Sequence, residues 1–325
     1  MKALICEQYS QPPVLTLNDV APPEVAPGTI RIKVACAGVN FPDTLMVEGR
    51  YQVKPPLPFT PGSEAAGTIE GIGEGVTGFA IGDRVMAMEY HGALGELMVA
   101  NAGNVVLLPG SMPFDVAAGF TTNYATSYHA LKQRAELRPG QTVLVLGAGG
   151  GVGITAVELA KLMGARVIAA ASTDEKLALC REYGADEVIN YSEEDLREGI
   201  RRTTAGAGPD VVYDPVGGQY AEPAFRSIGW GGKYLVVGFA AGEIPRLPFN
   251  LPLIKGASIV GVICGIFRDK EPEAYQQNLQ ELLEFYVRGQ LRPHISKRFT
   301  LERSADAIAW IAAGKAQGKI IVEVG

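Results

Sequence analysis

The stretch TVLVLGAGGGVG, residues 142–153, decides the fold class of this chain. An apolar run of strand length comes first, and five of the last seven residues of the stretch are glycine. A helical pattern follows. A strand that passes into a helix through a glycine-rich turn is the setting of the dinucleotide-binding fingerprint G-x-G-x-x-G. Ala148, Gly150 and Gly153 occupy its three positions, so alanine replaces the first glycine.

The glycines of this turn have physical roles in holding a dinucleotide. Gly150 lets a pyrophosphate approach the backbone, and Gly153 lets the helix pack close to the strand. The start of the helix offers free N–H groups and the positive end of its dipole to the phosphates. The alternative is a tight turn without a ligand, and the strand and helix patterns around the turn disfavour it.

Strand and helix patterns alternate from residue 126 to residue 265. Such alternation is typical of an α/β protein with a doubly wound parallel sheet. The sequence predicts strands at 142–147, 166–171, 187–190, 210–213, 234–239 and 258–264. It predicts helices at 154–163, 174–183 and 193–203, the last with a capping box formed by Ser192 and Asp195. Residues 1–125 are rich in strand and turn patterns. The tail at 266–325, beginning with a helix, is predicted to fold back onto them.

Composition narrows the function classes. The 325 residues carry a formal net charge of −6, which does not favour nucleic acid or an anionic membrane as a partner. No apolar run approaches the ~20 residues of a membrane span, and the N-terminal residues lack the apolar region of a signal peptide. The four cysteines are scattered without a CxxC pair, which argues against a metal site or a disulfide framework. We therefore expect a cytoplasmic protein.

The second strand of the alternating region indicates which dinucleotide is bound. NAD sites usually hold the ribose 2′-hydroxyl with an acidic residue at the end of this strand. Here the strand ends in Ala171 and Ser172, and Asp174 is predicted to lie in the first turn of the next helix. Lys176 follows and provides positive charge for a 2′-phosphate. The sequence therefore predicts NADPH, with a solvated helix residue as the alternative for Lys176.

Segments along the whole chain resemble one protein family. They are, in order, GVNFPDTL, GSEAAGTIEGIGEGV, GDRV, NYATSYHAL, GAGGGVG, VINY, VVYDPVGG and GGKYLVVGFAAG. Together they resemble the zinc-independent quinone oxidoreductases, or zeta-crystallin-like proteins, of the medium-chain dehydrogenase/reductase superfamily. The resemblance implies a GroES-like β domain from residues 1–125 and 266–325 and a Rossmann NADPH-binding domain at 126–265. It also implies a cofactor in the cleft between these domains.

The resemblance implies individual site residues as well. Those beside the nicotinamide are Asn40, the following 41–45 segment with Phe41 and Asp43, Thr126, Gly238, Phe239, Ala240, Val262, Ile263 and Cys264. Those of the pyrophosphate turn are Gly150, Gly151 and Val152, and those of the 2′-phosphate pocket are Ser172, Lys176 and Tyr191. A basic residue near the C-terminus often joins the phosphate pocket, and the candidates are Lys315 and Lys319.

Zinc-containing relatives carry Cys where Asn40 stands and His-Glu where Ser63 and Glu64 stand. They also carry a four-cysteine lobe, whereas no cysteine occurs here between Cys36 and Cys180. The resemblance therefore implies an enzyme without zinc. It also implies a homodimer formed through the last strand of the Rossmann domain.

The expected chemistry, without a metal or a nucleophile, is direct hydride transfer from NADPH to a quinone or another conjugated carbonyl acceptor. A hydrogen-bond donor near the carbonyl oxygen would stabilise the enolate or phenolate that forms. Asn40 is a candidate donor. Tyr51 is a candidate proton donor because it matches a tyrosine of related enoyl reductases, and the alternative is a wall or packing residue. Two other functions stay open, an enoyl-thioester reductase and an NADPH-binding protein with a structural or regulatory role.

Overall fold

The computed structural model describes all residues from Met1 to Gly325 and divides them into two compact units. The β-rich unit consists of Met1–Thr122 with Pro293–Gly325, and the α/β unit is Asn123–Arg292. The strands, in chain order, are β1 (Lys2–Cys6), β2 (Leu15–Asp19), β3 (Thr29–Val39), β4 (Glu64–Ile72), β5 (Arg84–Met88), β6 (Leu97–Asn101), β7 (Val105–Leu107), β8 (Thr142–Leu146), β9 (Arg166–Ala171), β10 (Glu187–Asn190), β11 (Val211–Asp214), β12 (Lys233–Val236), β13 (Ser258–Gly261), β14 (Ile295–Thr300) and β15 (Lys319–Glu323).

The α-helices are α1 (Phe41–Val47), α2 (Phe114–Ala118), α3 (Thr121–His129), α4 (Gly151–Leu162), α5 (Asp174–Glu182), α6 (Leu196–Thr203), α7 (Ala221–Ser227), α8 (Asn250–Lys255), α9 (Cys264–Lys270), α10 (Pro272–Val287) and α11 (Ser304–Ala312). A π-helical turn continues α3, and single 3-10 turns lie at Ala102–Asn104, Gly218–Tyr220 and Leu301–Arg303. None of the helices combines the length and the apolar character needed to cross a membrane.

A six-stranded parallel sheet forms the centre of the α/β unit, in the strand order β10-β9-β8-β11-β12-β13. Its strands are short and apolar, and β8 and β9 are almost completely buried. Parallel sheets need this composition because helices cover both of their faces. The strand order reverses at β8, which pairs with β9 on one side and β11 on the other. Ligands of such sheets bind at the carboxyl ends of the strands, at the point of reversal. The predicted α/β class with a doubly wound sheet is confirmed.

Helix α6 begins later than the sequence predicts. Asp195 is its N-cap, and one carboxylate oxygen accepts hydrogen bonds from the N–H groups of Arg197 and Glu198 at 3.0 and 3.1 Å. The helix therefore starts at Leu196, and the predicted capping box with Ser192 at the cap is wrong. A carboxylate at the cap satisfies two of the N–H groups that a helix start leaves without partners.

Strands β12 and β13 are shorter than predicted. β12 ends at Val236 because the following segment bonds to the loop after β11, where the Ala240 N–H donates to the Pro215 carbonyl at 3.0 Å. β13 ends at Gly261, and Cys264 begins α9 instead of ending the strand. Both differences lie at the carboxyl edge of the sheet, where loops replace the regular strand pairing.

The α/β unit extends past the predicted boundary at residue 265 and ends at Arg292. Its helix α10 is attached to α3 by a polar cluster. The Tyr128 hydroxyl donates to Glu281 Oε2 at 2.6 Å, and Lys132 Nζ forms an ion pair with the same oxygen at 2.6 Å. The helix of the tail therefore belongs to the α/β unit, whereas the sequence predicts it in the β-rich unit.

Both ends of the chain build the β-rich unit. Seven strands form its main sheet in the order β14-β15-β3-β4-β5-β7, with β6 also paired to β3. β3 is the longest strand, with 11 residues, and its first half alternates in burial as a half-buried strand does. β15 pairs antiparallel with β3, with Ile321 opposite Gly38. An apolar core that includes Val39, Met46 and Ile308 joins this sheet to α1 and α11.

Candidate functional site

The glycine-rich turn after β8 has the conformation that its sequence requires. Gly147 has a φ of +57°, a backbone conformation that favours glycine. The Ala148 N–H donates to the Ala170 carbonyl of β9 at 3.0 Å, so the turn starts from a fixed point on the sheet. A β-carbon on Gly153 would meet the Gly147 carbonyl oxygen and would lie 2.8 Å from the Ala148 α-carbon. Glycine at 153 therefore allows α4 to pass close to β8, as the fingerprint predicts.

Gly150, unlike Gly153, is not required to be glycine by its backbone conformation or by its neighbours. It is the N-cap of α4, with a φ of −81° and a ψ of 175°, a conformation open to any residue. A β-carbon there would have the Gly147 carbonyl oxygen as its nearest neighbour, at 3.3 Å. The protein itself thus requires no glycine at 150. The absent side chain leaves space beside the N–H groups of Gly151 and Val152, which stand in the first turn of α4 and have no acceptor within the helix. This cradle suits a phosphate group.

The Lys176 side chain lies against the same turn. A β-carbon on Gly149 would be 2.6 Å from the Lys176 β-carbon and 2.9 Å from its γ-carbon. Thr173 caps α5 by accepting a hydrogen bond from the Lys176 N–H at 3.4 Å, which fixes the start of this helix. Burial lowers the pKa of the Lys176 ammonium. The structure therefore brings Lys176 and the pyrophosphate turn together. A phosphate bound there would offset the cost of burying the Lys176 ammonium group.

Ser172 and Tyr191 are neighbours at the ends of β9 and β10. Burial raises the pKa of the Tyr191 hydroxyl to about 12, opposed by its hydrogen bond with Ser172. The Tyr191 ring lies 4.4 Å from the ring of Tyr220, centroid to centroid. Asp174 is in the first turn of α5, as predicted, and accepts a hydrogen bond from Asn190 at 2.9 Å. No acidic residue therefore stands at the end of β9 itself, where NAD sites have one.

Helix α3 is fixed to the start of α4 through two polar residues. A β-carbon on Gly151 would lie 2.8 Å from Asn123 Nδ2, and the Ser127 hydroxyl donates to the Val152 carbonyl at 2.9 Å. Thr126, predicted beside the nicotinamide, is half-buried on α3 between these two residues. The structure thus places Thr126 within one helical turn of groups that contact the phosphate cradle.

The predicted residues after β12 and β13 lie at the carboxyl edge of the sheet. The Gly238 N–H donates to the Asp214 carbonyl at 3.3 Å, and the Val262 N–H donates to the Val236 carbonyl at 2.9 Å. A β-carbon on Gly217 would lie 2.8 Å from Phe239 Cδ1. The flanking residues differ in burial: Ala240 and Ile263 are exposed, whereas Cys264 is buried.

Asp214, at the end of β11, organises this edge, and the sequence interpretation missed it. Its Oδ1 accepts hydrogen bonds from the N–H groups of Val216 and Gly217, each at 2.8 Å, and its Oδ2 accepts one from the Tyr234 hydroxyl at 2.5 Å. Burial raises the pKa of this carboxyl. The motif VVYDPVGG was a usable signal, because Asp before Pro and Gly often bonds to nearby N–H groups in a turn.

In the β-rich unit, Asn40 and Asp43 form a capping box at the start of α1. The Asn40 N–H donates to Asp43 Oδ2 at 2.7 Å. Asp43 has no exposed surface, and burial raises the pKa of its carboxyl to about 7. Asp43 therefore caps α1, and its side chain has no surface exposed to solvent. The neighbouring Phe41 is half-buried.

The Asn40 side chain belongs to a buried polar cluster with Glu64 and Lys319. Asn40 Nδ2 donates to Glu64 Oε1 at 2.8 Å, and Asn40 Oδ1 accepts from Lys319 Nζ at 2.6 Å. Lys319 Nζ also pairs with Glu64 Oε1. Of the two lysines proposed for the phosphate pocket, Lys319 is thus committed to this cluster. Lys315 is exposed, and its Nζ lies 5.1 Å from the centroid of the Trp310 ring system.

Tyr51 is half-buried and packs against the apolar core of the β-rich unit. The four cysteines are buried thiols, and burial raises the pKa of Cys36 to about 11 and that of Cys180 to about 12. Such thiols are unreactive at neutral pH. No group of three or more His, Cys, Asp or Glu side chains in residues 1–325 could hold a metal ion.

Comparisons with known proteins agree with this architecture. The family model of the alcohol dehydrogenase GroES-like domain matches residues 26–131, and that of the zinc-binding dehydrogenases matches residues 151–284. The quinone oxidoreductase-like protein 2 homolog of Nematostella vectensis is 35% identical over 324 residues, which are 99% of this chain and 88% of that protein. The quinone oxidoreductase of Pseudomonas aeruginosa is 35% identical over 316 residues, 97% of either chain.

A solved structure shows the same fold. Escherichia coli quinone oxidoreductase, determined in complex with NADPH, is similar to this chain with a TM-score of 0.94 and 27% identity. The match covers 99% of this chain and 100% of the bacterial one.

Proposed function

Because this chain belongs to the quinone oxidoreductase family of the medium-chain dehydrogenase/reductase superfamily, we propose that it reduces quinones or related conjugated carbonyl compounds with NADPH. NADPH supplies the hydride, and the protein supplies binding, orientation and electrostatic stabilisation. The observation that carries the proposal is the phosphate cradle at Gly150, with the Lys176 side chain packed against the same turn.

The residues of the α/β unit fit the phosphates of this cofactor. The N–H groups of Gly151 and Val152 would hold the pyrophosphate at the start of α4. Ser172, Lys176 and Tyr191 would hold the 2′-phosphate, because they offer two hydroxyls and a cation near the end of β9. The Asp174 carboxylate accepts a hydrogen bond from Asn190 and is therefore not available to bind a ribose 2′-hydroxyl. This arrangement favours a cofactor with a 2′-phosphate.

We expect Lys176→Met to raise the Kd for NADPH about 10- to 100-fold, since a hydrogen bond to a charged group contributes about 1.5–3 kcal/mol. Methionine keeps an unbranched apolar stem against Gly149 and removes only the charge. The Kd for NADH, which lacks the 2′-phosphate, is expected to stay nearly unchanged. Fluorescence titration of both cofactors measures this difference.

The control is Lys161→Met, which removes an exposed lysine of α4 that pairs with Asp186 at 2.6 Å. It should leave both dissociation constants unchanged. Equal affinity of the native protein for NADPH and NADH would show that the pocket assignment is wrong.

On the acceptor side, we propose that Asn40 and Tyr51 contribute to catalysis. A conjugated carbonyl acquires negative charge on its oxygen when hydride adds, and an amide N–H or a phenol can stabilise that charge. Both residues are on the β-rich unit, and Tyr51 keeps part of its surface exposed. An amide and a phenol can stabilise negative charge on the acceptor oxygen without a metal ion.

The acceptor class is tested by NADPH oxidation with a panel of quinones, enones and enoyl-CoA thioesters. We expect quinones and enones to give the highest kcat/KM. Faster turnover of enoyl thioesters would contradict the proposal in favour of a thioester reductase. NADPH binding without oxidation by any acceptor would instead indicate a structural or regulatory role.

We further propose that the activity is independent of zinc. Asn40 stands where zinc-containing relatives carry a cysteine, and its amide is bonded to Glu64 and Lys319. NADPH oxidation is therefore expected to persist in excess EDTA. Elemental analysis of the active protein is expected to find no stoichiometric zinc, and a stoichiometric zinc content with activity lost on chelation would contradict this proposal.

A homodimer is proposed through the edge strand β13. β13 ends the parallel sheet, so one side of it has no strand partner within the chain. Ile259 on this strand is 46% exposed, and Phe249 and Leu253, on the segment before it, are 95% and 79% exposed. An exposed apolar edge is an aggregation hazard unless something covers it. Two copies that meet at β13 form a closed, self-complementary contact.

We expect Ile259→Lys to convert the dimer to a monomer, because it places two charges at the centre of the contact. Sedimentation velocity at micromolar concentration measures the change. Ile81→Lys is the matched control, since Ile81 is 63% exposed but lies in the β-rich unit. A native protein that sediments as a monomer would contradict the dimer.

A further inference from the structure

The cluster of Asn40, Glu64 and Lys319 joins three distant segments of the chain. Asn40 precedes α1, Glu64 begins β4 and Lys319 begins β15. Their relative exposures are 6%, 0% and 4%. The second oxygen of Glu64, Oε2, accepts a hydrogen bond from the Thr122 N–H at 2.8 Å. Both carboxylate oxygens are therefore occupied, and the charges are paired inside the fold.

The backbone is shaped to admit the lysine. A β-carbon on Gly38 would meet the Ala118 carbonyl oxygen, and it would also lie 2.8 Å from Lys319 Cε and 2.8 Å from Glu64 Oε1. A β-carbon on Gly119 would lie 2.7 Å from Lys319 Cγ. Two glycines thus open the path along which Lys319 reaches Asn40. A buried ion pair contributes little net stability, because the desolvation of two charges offsets their attraction. Stability alone does not account for this arrangement.

The cluster dictates the orientation of the Asn40 amide. Lys319 Nζ can only donate, so the amide oxygen must face it. Glu64 Oε1 as a carboxylate can only accept, so the amide nitrogen must face it. Rotation of the amide by 180° would set donor against donor and acceptor against acceptor. One N–H of Asn40 is bonded to Glu64, and the other has only the Ser63 hydroxyl, at 3.3 Å. The second N–H, which is only weakly bonded to Ser63, can therefore still donate a hydrogen bond to another group.

We propose that Lys319 and Glu64 are positioning residues that hold Asn40 so that it presents an N–H, and never its carbonyl, to the oxygen of the acceptor. This inference rests on the proposed function. It assigns Lys319 to the reaction and not to the phosphate pocket. The pair acts through Asn40. It helps to stabilise the negative charge that develops on the acceptor oxygen, and it does not contribute to cofactor binding.

The test is the double variant Glu64→Gln/Lys319→Met. It removes both charges of the pair together, and the buried Asp43 carboxyl nearby keeps its hydrogen bond from the Asn40 N–H, so the thermal unfolding temperature is expected to change little. The oxygen of the introduced glutamine can still accept from the Thr122 N–H, which leaves the glutamine NH2 group facing Asn40. That NH2 selects the inverted amide, with the Asn40 oxygen toward the glutamine. We expect kcat with an enone such as cyclohexenone to fall about tenfold or more, with unchanged Kd for NADPH.

A matched control and a second background separate positioning from packing. Asp115→Asn/Arg298→Met removes another long-range ion pair of the β-rich unit, bonded at 2.6 Å, and should leave kcat unchanged. In an Asn40→Ala background, the Glu64→Gln/Lys319→Met changes should lower kcat no further, because the group they orient is absent. A further fall there, or an unchanged kcat in the presence of Asn40, would overturn the proposal.

Asn40→Leu provides an independent test that adds no charge beside the Glu64–Lys319 pair. Leucine has a similar shape but no hydrogen-bond donor, so kcat is expected to fall although the ion pair remains. A native kcat for this variant would overturn the proposal even if the double variant does not fold. Failure of the proposed function would look different, because the unmodified protein would then oxidise NADPH with none of the quinones or enones.

Discussion

Gly150→Ala is expected to raise the Kd for NADPH about a hundredfold or more while leaving the fold intact. The added methyl group meets only the Gly147 carbonyl oxygen, at 3.3 Å, and the backbone conformation suits alanine. The methyl would occupy space beside the first N–H groups of α4. A pyrophosphate held away from those groups loses at least two charge-assisted hydrogen bonds. Fluorescence titration gives the Kd, and thermal unfolding shows whether the fold is intact.

Gly153→Ala is the comparison that separates cofactor space from protein packing. Its methyl group would press on backbone atoms, the Gly147 carbonyl oxygen and the Ala148 α-carbon at 2.8 Å. This change should destabilise the α/β unit by about 1–3 kcal/mol, the usual effect of overpacking. Gly150→Ala with native affinity would show that the pyrophosphate is not bound at this turn.

Tyr51→Phe is expected to lower kcat about 10²–10³-fold with enones, the effect of removing one donor from developing negative charge. The effect with quinones should be much smaller, because the oxygens of a hydroquinone can take protons from water. Phenylalanine keeps the ring that packs against the apolar core, so the fold should persist. Steady-state kinetics with both acceptor classes, together with the Kd for NADPH, measure the difference.

Tyr9→Phe is the control for this experiment. Tyr9 packs against the same core, and its hydroxyl donates to the Pro55 carbonyl. Removal of the Tyr9 hydroxyl should lower the free energy of unfolding, but it should not change the ratio of enone to quinone turnover. Equal and negligible effects of Tyr51→Phe on both acceptors would reduce Tyr51 to a packing residue, and the proton would then come from solvent.

The sequence predicts those parts of the structure that are determined by residues close together in the chain. Strand β9 has the predicted bounds, because its apolar run is bounded by turns on both sides. The roles of Gly153 and Asp174 also depend on neighbours within a few residues, and both agree with the structure. The early end of β12 could not be predicted, because it depends on a hydrogen bond from Ala240 to a loop formed by another segment.

The buried cluster lies beyond local sequence reasoning for the same reason. Lys319 and Asn40 are 279 positions apart, and Lys319 and Glu64 are 255 positions apart. No periodicity in either segment indicates the other. From the sequence, Lys319 is therefore only a candidate for the phosphate pocket, and its buried partners are found only when the pairing of β15 with β3 is known.

That pairing also has a consequence for the order in which the chain can fold during synthesis. The α/β unit is continuous in sequence, so all of it emerges from the ribosome before the last two strands of the other unit do. The β-rich unit cannot close its sheet until β15 emerges and pairs with β3. Until then the Cys36–Val39 part of β3 has a free edge, whereas β6 already pairs with its first residues, and Asn40 and Glu64 lack their lysine. Growing chains that carry this free edge are the species for which chaperone protection matters most.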